Sequence, residues 1–372
     1  MTDLPTPDEP VEPDTLRPVA PDEPGPPETP EPRSLKRTLA LGAVAFAATL
    51  ILLFGLANLV RPSGGGGVGV ASSTPGLFTG PGAVVSAWAA ASAGVAPSGS
   101  GSPPASALGD PVLVGAGDIA DCGLDDDTAT AALLDSIPGT VFTAGDNAYP
   151  DGSPDQFRDC YGPTWGRHLG RTLAAAGNHD WGTRDLAGYL GYFGAAGAPN
   201  GTSWYSRDIG AWHVIVLDSD CSKVGGCGSD SAQGRWLTED LKGSAARCSL
   251  AIWHHPRFSS GEHGNDTDVG PFWDALYAAG ADLVINGHDH DYERFAPQSP
   301  DGQADRERGI REFVVGTGGA ALRDLRTQTA NSEFMAAVAH GIMQLVLHPT
   351  SYEWTFTPTG GQFSDSGTGP CH

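Results

Sequence analysis

The chain has 372 residues, with 21 Lys plus Arg against 44 Asp plus Glu and a formal net charge of −23. That balance excludes nucleic acid as a stable partner, because phosphate backbones need clustered Lys and Arg, and it suits no anionic membrane surface. With 52 Gly and 30 Pro lacking a regular period and 40% hydrophobic residues, the chain is also not collagen, a coiled coil or wholly disordered.

Residues 1–37 form an acidic, Pro-rich tail with too little apolar material to fold. Residues 38–60 carry no charge, and a helix of that length spans the ~30 Å hydrocarbon core of a bilayer. Arg33, Lys36 and Arg37 precede this segment and only Arg61 follows it closely. The positive-inside rule then predicts a single-pass membrane protein, with a cytoplasmic N-terminus and everything after Arg61 outside. Residues 61–107 are a Gly/Ser/Ala/Pro-rich linker. Residues 108–372 read as the globular domain, with 16 bases against 35 acids. No protein partner is inferable.

In that domain, strands are expected at Pro111–Gly115, Thr140–Ala144, Thr172–Ala176, Trp212–Leu217, Leu250–Trp253, Leu283–Ile285, Phe313–Val315, Met343–Leu347 and Tyr352–Phe356. Helices are expected at Asp126–Ser136, Gln233–Lys242 and Pro271–Ala279, the last opened by a proline in its first turn. The early alternation of strand and helix predicts a largely parallel sheet, and the late run of strands a second or mixed one. Six Cys, none in a C-x-x-C pair, point to disulfides rather than zinc. Cys221 and Cys227 are close enough to close a small loop; the spacing leaves the other pairings open. An oxidising compartment agrees with the predicted topology.

Five of the strands end alike, in an apolar run, then Gly or Trp, then residues able to bind a metal. The strings are V-G-A-G-D-I-A (Asp118), F-T-A-G-D-N-A-Y (Asp146, Tyr149), A-A-A-G-N-H-D (Asn178, His179, Asp180), A-I-W-H-H-P (His254, His255) and V-I-N-G-H-D-H (His288, Asp289, His290). Ligands of open α/β sheets bind outside the carboxyl ends of the strands, so residues spread over the sequence converge there. Carboxylate, amide oxygen, imidazole and phenol make a mixed oxygen and nitrogen set without Cys, unlike structural zinc or iron–sulfur sites. Seven donors exceed one tetrahedral ion and suit two metals sharing a carboxylate, the usual clamp for in-line attack at phosphorus.

The series G-D, G-D-x-x-Y, G-N-H-D, H-H and G-H-D-H resembles the calcineurin-like metallophosphoesterases, and within them the purple acid phosphatases. The first motif has Ala120 where most of the superfamily has His, and Tyr149 stands where the purple acid phosphatases place a substitute ligand. The resemblance implies a four-layer αββα sandwich. It assigns one metal to Asp118, Tyr149 and His290 and the other to Asn178, His254 and His288, with Asp146 bridging. It implies Fe(III) at the first site, paired with Fe(II), Zn(II) or Mn(II). His179 and His263 match positions near the substrate phosphate, and are expected to orient it and protonate the leaving oxygen. Asp180 and Asp289 are expected to hold imidazoles in the required tautomer, and His255 to be structural or to support the metal ligands from behind. The expected activity is that of an acid phosphatase-like phosphomonoesterase acting on a small phosphorylated substrate, with metal-bound hydroxide attacking phosphorus in line. A phosphodiesterase or nucleotidase on the same centre, and a non-catalytic module binding a phosphorylated ligand, are the alternatives. The 61–107 linker is expected to take the place of the N-terminal β-sandwich domain that larger family members carry.

Overall fold

Two mixed sheets face each other across a shared apolar core. In the first, β1 (Val112–Ala116), β3 (Thr140–Ala144) and β5 (Thr172–Ala175) run parallel. β13 (Gly341–Leu347), β14 (Ser351–Pro358) and β15 (Asp365–Pro370) extend it antiparallel beyond β1. In the second, β7 (Trp212–Val216), β8 (Cys248–Ile252), β9 (Leu283–Asn286) and β11 (Arg311–Val315) are parallel. Antiparallel β6 (Tyr205–Ile209) forms one edge, and β10 (Tyr292–Phe295) with β12 (Ser332–Ala336) the other. A two-stranded ribbon pairs β2 (Ala120–Asp121) with β4 (Ala148–Tyr149). The computed structural model describes residues 109–361 and 363–372. The tail, apolar segment and linker expected over 1–107 lie outside the described residues, and among these no helix is long and apolar enough to cross a membrane.

Strict alternation along the parallel strands makes the layers. Val214 and Val216, Leu250 and Ile252, Leu283 and Ile285, Phe313 and Val315 enter the core between the sheets, with Leu113, Phe142, Leu173 and Leu345 opposite. Their neighbours Ile215, Ala251, Val284 and Val314 face outward, under α3 (Ala232–Gly243) and α4 (Gly270–Ala279). A period of two fixes which side chain meets which layer. Ser231 caps α3 by accepting from Gly234 N, and α4 carries Pro271 in its first turn. Phe272, Trp273 and Leu276 anchor α4, each fully buried, worth about 1.5–3 kcal/mol apiece. α1 (Asp126–Ser136) packs near β13.

All nine expected strands and three expected helices are present, along with further elements that sequence periodicity did not mark. β6 and β12 are half-exposed edge strands without a continuous apolar run. β15, D-S-G-T-G-P, reads as a loop, yet Gly367 lets this edge strand lie flat on the Trp354 ring, where a Cβ would meet the indole at 2.4 Å. Short α2 (Ala187–Phe193), A-G-Y-L-G-Y-F, is held by aromatic contacts, including Tyr189 with Phe193. The six Cys form three disulfides, Cys122–Cys160, Cys221–Cys227 and Cys248–Cys371. The small-loop expectation for Cys221 and Cys227 therefore holds.

Candidate metal centre

The five strand ends meet at one rim. Asp118 and Asp146 follow β1 and β3, Asn178 follows β5, and His254 and His288 follow β8 and β9. Parallel pairing continues past the strands, with Asp118 N donating to Gly145 O at 3.0 Å, Ile119 N to Asp146 O at 2.9 Å and Gly287 N to His254 O at 3.0 Å. Gly117 N donates to Val315 O at 2.8 Å, tying the first sheet to the second. Asp118, Asp146 and His288 have φ of 59°, 50° and 72°, left-handed values uncommon outside glycine. Gly145, with φ 86°, has to be glycine, since a Cβ there would lie 2.5 Å from His254 Nδ1.

Two side-chain hubs organise the seven expected ligands. Tyr149 Oη lies 2.8 Å from Asp118 Oδ1, 3.0 Å from Asp146 Oδ2 and 3.2 Å from His290 Nε2. His254 Nε2 lies 3.2 Å from Asp146 Oδ2, 3.1 Å from Asn178 Oδ1 and 3.2 Å from His288 Nδ1. Asp146 belongs to both. The structure thus brings together all seven in two groups that share one carboxylate. His254 Nδ1 bonds Ala144 O at 2.9 Å and His290 Nδ1 bonds Ala321 O at 2.7 Å, so each turns Nε2 inward.

The electrostatics are those of a site short of positive charge. Asp118, Asp146 and His254 are buried and their ligating atoms lie within 4.8 Å of one another. Burial opposes charge on both members of the Asp146–His254 pair, but their mutual attraction outweighs it: the Asp146 carboxyl is held below its ordinary range and the His254 imidazole is pushed up to about 10. Burial, with Asp118 and Asp146 alongside, holds the Tyr149 phenol well above its ordinary value. Protons on His254 and Tyr149 therefore supply the compensation that cations bring to such donors. Donor type, burial and charge all fit metal.

His179 and His263 lie at the edge. His179 Nδ1 bonds Pro150 O at 2.5 Å, its ring sits 4.3 Å from that of Tyr149, and its Nε2 is 3.9 Å from Asp146 Oδ2. His263 is exposed and stacks on His288 at 4.2 Å. His255 Nδ1 lies 2.8 Å from Ser219 Oγ.

Asp180 and Asp289 do not hold imidazoles, contrary to expectation. Asp180 accepts from the backbone N–H of Asn147 and Gly177 and from Asn147 Nδ2, tying two ligand loops together. Asp289 accepts from His263 N at 2.8 Å, Gly264 N at 3.2 Å and Ser259 Oγ. It acts with two other buried carboxylates. Glu312 receives Arg257 N and Phe258 N, and Glu293 receives Ser260 N and Ser260 Oγ. These three hold the 257–264 loop, which carries His263, by its own amides. The imidazoles are oriented instead by backbone carbonyls, which no sequence position displays.

No family model matches the chain. Purple acid phosphatase 21 of Arabidopsis thaliana is 27% identical over 238 residues, covering 56% of this chain and 53% of that protein. Purple acid phosphatase 18 of the same plant is 29% identical over 170 residues, 42% of this chain and 37% of its own. The chain thus spans about half or less of the curated relatives it matches. Among solved structures, the purple acid phosphatase PPD1 of yellow lupin superposes with a TM-score of 0.55 at 19% identity, over 70% of this chain and 53% of that one. The domain is purple acid phosphatase-like, with the calcineurin-like metallophosphoesterase fold. GAP50, the anchor in the inner membrane complex of Plasmodium, shares that fold at a TM-score of 0.55 and 14% identity, over 71% of this chain and 90% of its own. Purple acid phosphatase-like relatives imply a dinuclear centre, and the two hubs contain candidate metal-binding residues of this domain.

The sequence reading passed over one strand end. After β11 comes V-V-G-T-G-G-A-A-L-R, the same apolar-then-glycine shape, and it delivers Ala321 O and Arg323 to the rim. Lacking a metal-binding side chain, it gave no ligand signal.

Proposed function

We propose that this domain hydrolyses phosphate monoesters at a dinuclear metal centre, as an acid phosphatase does. The observation that carries the reading is the sharing of Asp146 between two complete donor groups. Asp118, Tyr149, His290 and Asp146 would hold one cation; Asn178, His254, His288 and Asp146 would hold the other. The phenol and carboxylates of the first group suit a hard trivalent ion such as Fe(III), and the imidazoles and amide of the second suit Fe(II), Zn(II) or Mn(II). Bound there, two cations supply Lewis-acid polarisation of a phosphoryl oxygen and acidify a water for attack at phosphorus. His179, fixed through Nδ1 to Pro150 O, directs Nε2 to the substrate side and orients the phosphate. His263, at the exposed mouth, is where the leaving oxygen departs and takes its proton. The three disulfides support a location outside the cytoplasm, with residues 38–60 as the anchor.

Comparing p-nitrophenyl phosphate with bis-p-nitrophenyl phosphate on the purified chain tests this, with His254→Ala as the control. Faster monoester cleavage, lost in the variant, is expected; diester preference moves the protein to the phosphodiesterase reading. Tyr149 has its own test. Iron-loaded protein shows a visible phenolate-to-iron band that Tyr149→Phe abolishes, and a band that survives the substitution removes Tyr149 from the ligand set.

A further inference from the structure

The mouth of the centre carries charge that the reaction above does not use. Arg323 is anchored by its N–H donating to His290 O at 3.2 Å, and its Nη1 donates to His263 Nε2 at 2.5 Å. Arg326, one helical turn's length further along the chain, is anchored by its N–H donating to Ser260 O at 2.8 Å. Both guanidiniums turn to one carboxylate. Glu262 Oε2 lies 3.7 Å from Arg323 Nη1 and Oε1 lies 3.1 Å from Arg326 Nη2. The backbones are fixed to the metal-ligand segment and to the carboxylate-held loop, while the three charged ends are free to solvent, with side chains 32%, 63% and 45% exposed for Arg323, Arg326 and Glu262.

Exposed pairs of this kind contribute only ~0–1 kcal/mol, so they exchange readily for a stronger anion. Two guanidiniums on one carboxylate leave a surplus positive charge, in a domain where acids outnumber bases about two to one. Arginine's planar fork matches phosphate oxygens two at a time. The other arginines that might have served are committed elsewhere: Arg294 bonds Asp365 and Glu333, Arg308 lies over Tyr277, and Arg257 over Phe258. Between the cluster and the ligand His288 stands a single imidazole, that of His263.

We propose that Arg323 and Arg326 form a second anion subsite, which takes a further phosphoryl group of a substrate whose terminal phosphate lies at the metal centre. Glu262 occupies the subsite when it is empty and is displaced by the substrate. The favoured substrates are then doubly phosphorylated, such as a nucleoside diphosphate. This rests on the phosphate-ester reading of the centre, and the test separates the two.

Kinetic constants for p-nitrophenyl phosphate and adenosine diphosphate are measured for the unaltered protein, Arg326→Ala and Glu262→Gln. Calorimetric titrations of the same proteins use methylphosphonate and methylenediphosphonate. Arg326→Ala is expected to raise KM for the diphosphate about fivefold to tenfold, leaving kcat and the KM for p-nitrophenyl phosphate within about twofold. Glu262→Gln lowers KM for the diphosphate, a gain that a merely structural role would not produce. Equal changes for both substrates, or none, overturn the subsite. If the unaltered protein cleaves neither compound, the phosphate-ester reading fails and the titrations decide. Methylenediphosphonate held several-fold more tightly than methylphosphonate, with that advantage lost in Arg326→Ala, sustains the subsite; equal binding of the two overturns it.

Discussion

Asp146→Asn cuts kcat/KM for p-nitrophenyl phosphate by about a thousandfold or more, while the domain still folds. The substitution keeps the size of the side chain and keeps an oxygen for the His179 N–H, which now donates to Oδ1 at 2.8 Å. What it removes is the charge on the one side chain that reaches both hubs, 3.0 Å from Tyr149 Oη and 3.2 Å from His254 Nε2. Metal-centred stabilisation of a phosphoryl transition state is worth several kcal/mol, and about 4 kcal/mol corresponds to that factor. Metal content and a circular dichroism melt accompany the assay. The expected result is a folded protein, depleted in metal and nearly inactive; retention of more than about a tenth of the activity would show that Asp146 does not bridge.

Breaking the Cys248–Cys371 bridge has the opposite profile, a large loss of stability with the centre intact. Cys248 opens β8 in the seven-stranded sheet, and Cys371 follows β15 at the edge of the six-stranded one. The bond closes a loop over a sequence separation of 123 residues and joins the sheets at the end away from the metal rim. Chain-entropy reasoning puts such a closure at about 4–5 kcal/mol, or about 10–15 °C in Tm for a domain of this size. Thermal melts of Cys248→Ala/Cys371→Ala against the unaltered protein measure it, with activity assayed well below both transitions. A Tm within about 3 °C of the parent would mean that the packing between the sheets already holds this end.

What was legible in the sequence was what repeats. The nine strands with continuous apolar runs stood out, as did the five strand ends where a metal-binding side chain follows a Gly or Trp, and these placed all seven residues of the hubs. Edge strands such as β15 did not stand out, because a strand with one neighbour needs less apolar surface and here uses glycine to meet Trp354 and Tyr352. The misreading of Asp289 has a different origin. Lying between His288 and His290, it looks like a partner for their rings, yet the chain bends there, with His288 at φ 72°, and the amides of His263 and Gly264 donate to its oxygens. Its carboxylate consequently points to the His263 loop. Arg326 was hidden because no spacing links it to the ligands; the meeting of two loops does.

The left-handed backbone at Asp118, Asp146 and His288 sets the domain's chemistry against its own folding. Such conformations cost non-glycine residues about 1 kcal/mol or more each, and glycine would relieve all three while erasing the centre. The backbone alone would thus favour glycine at these positions, and what opposes it includes the backbone N–H groups of His288 and His179, which the Asp118 and Asp146 carboxylates accept.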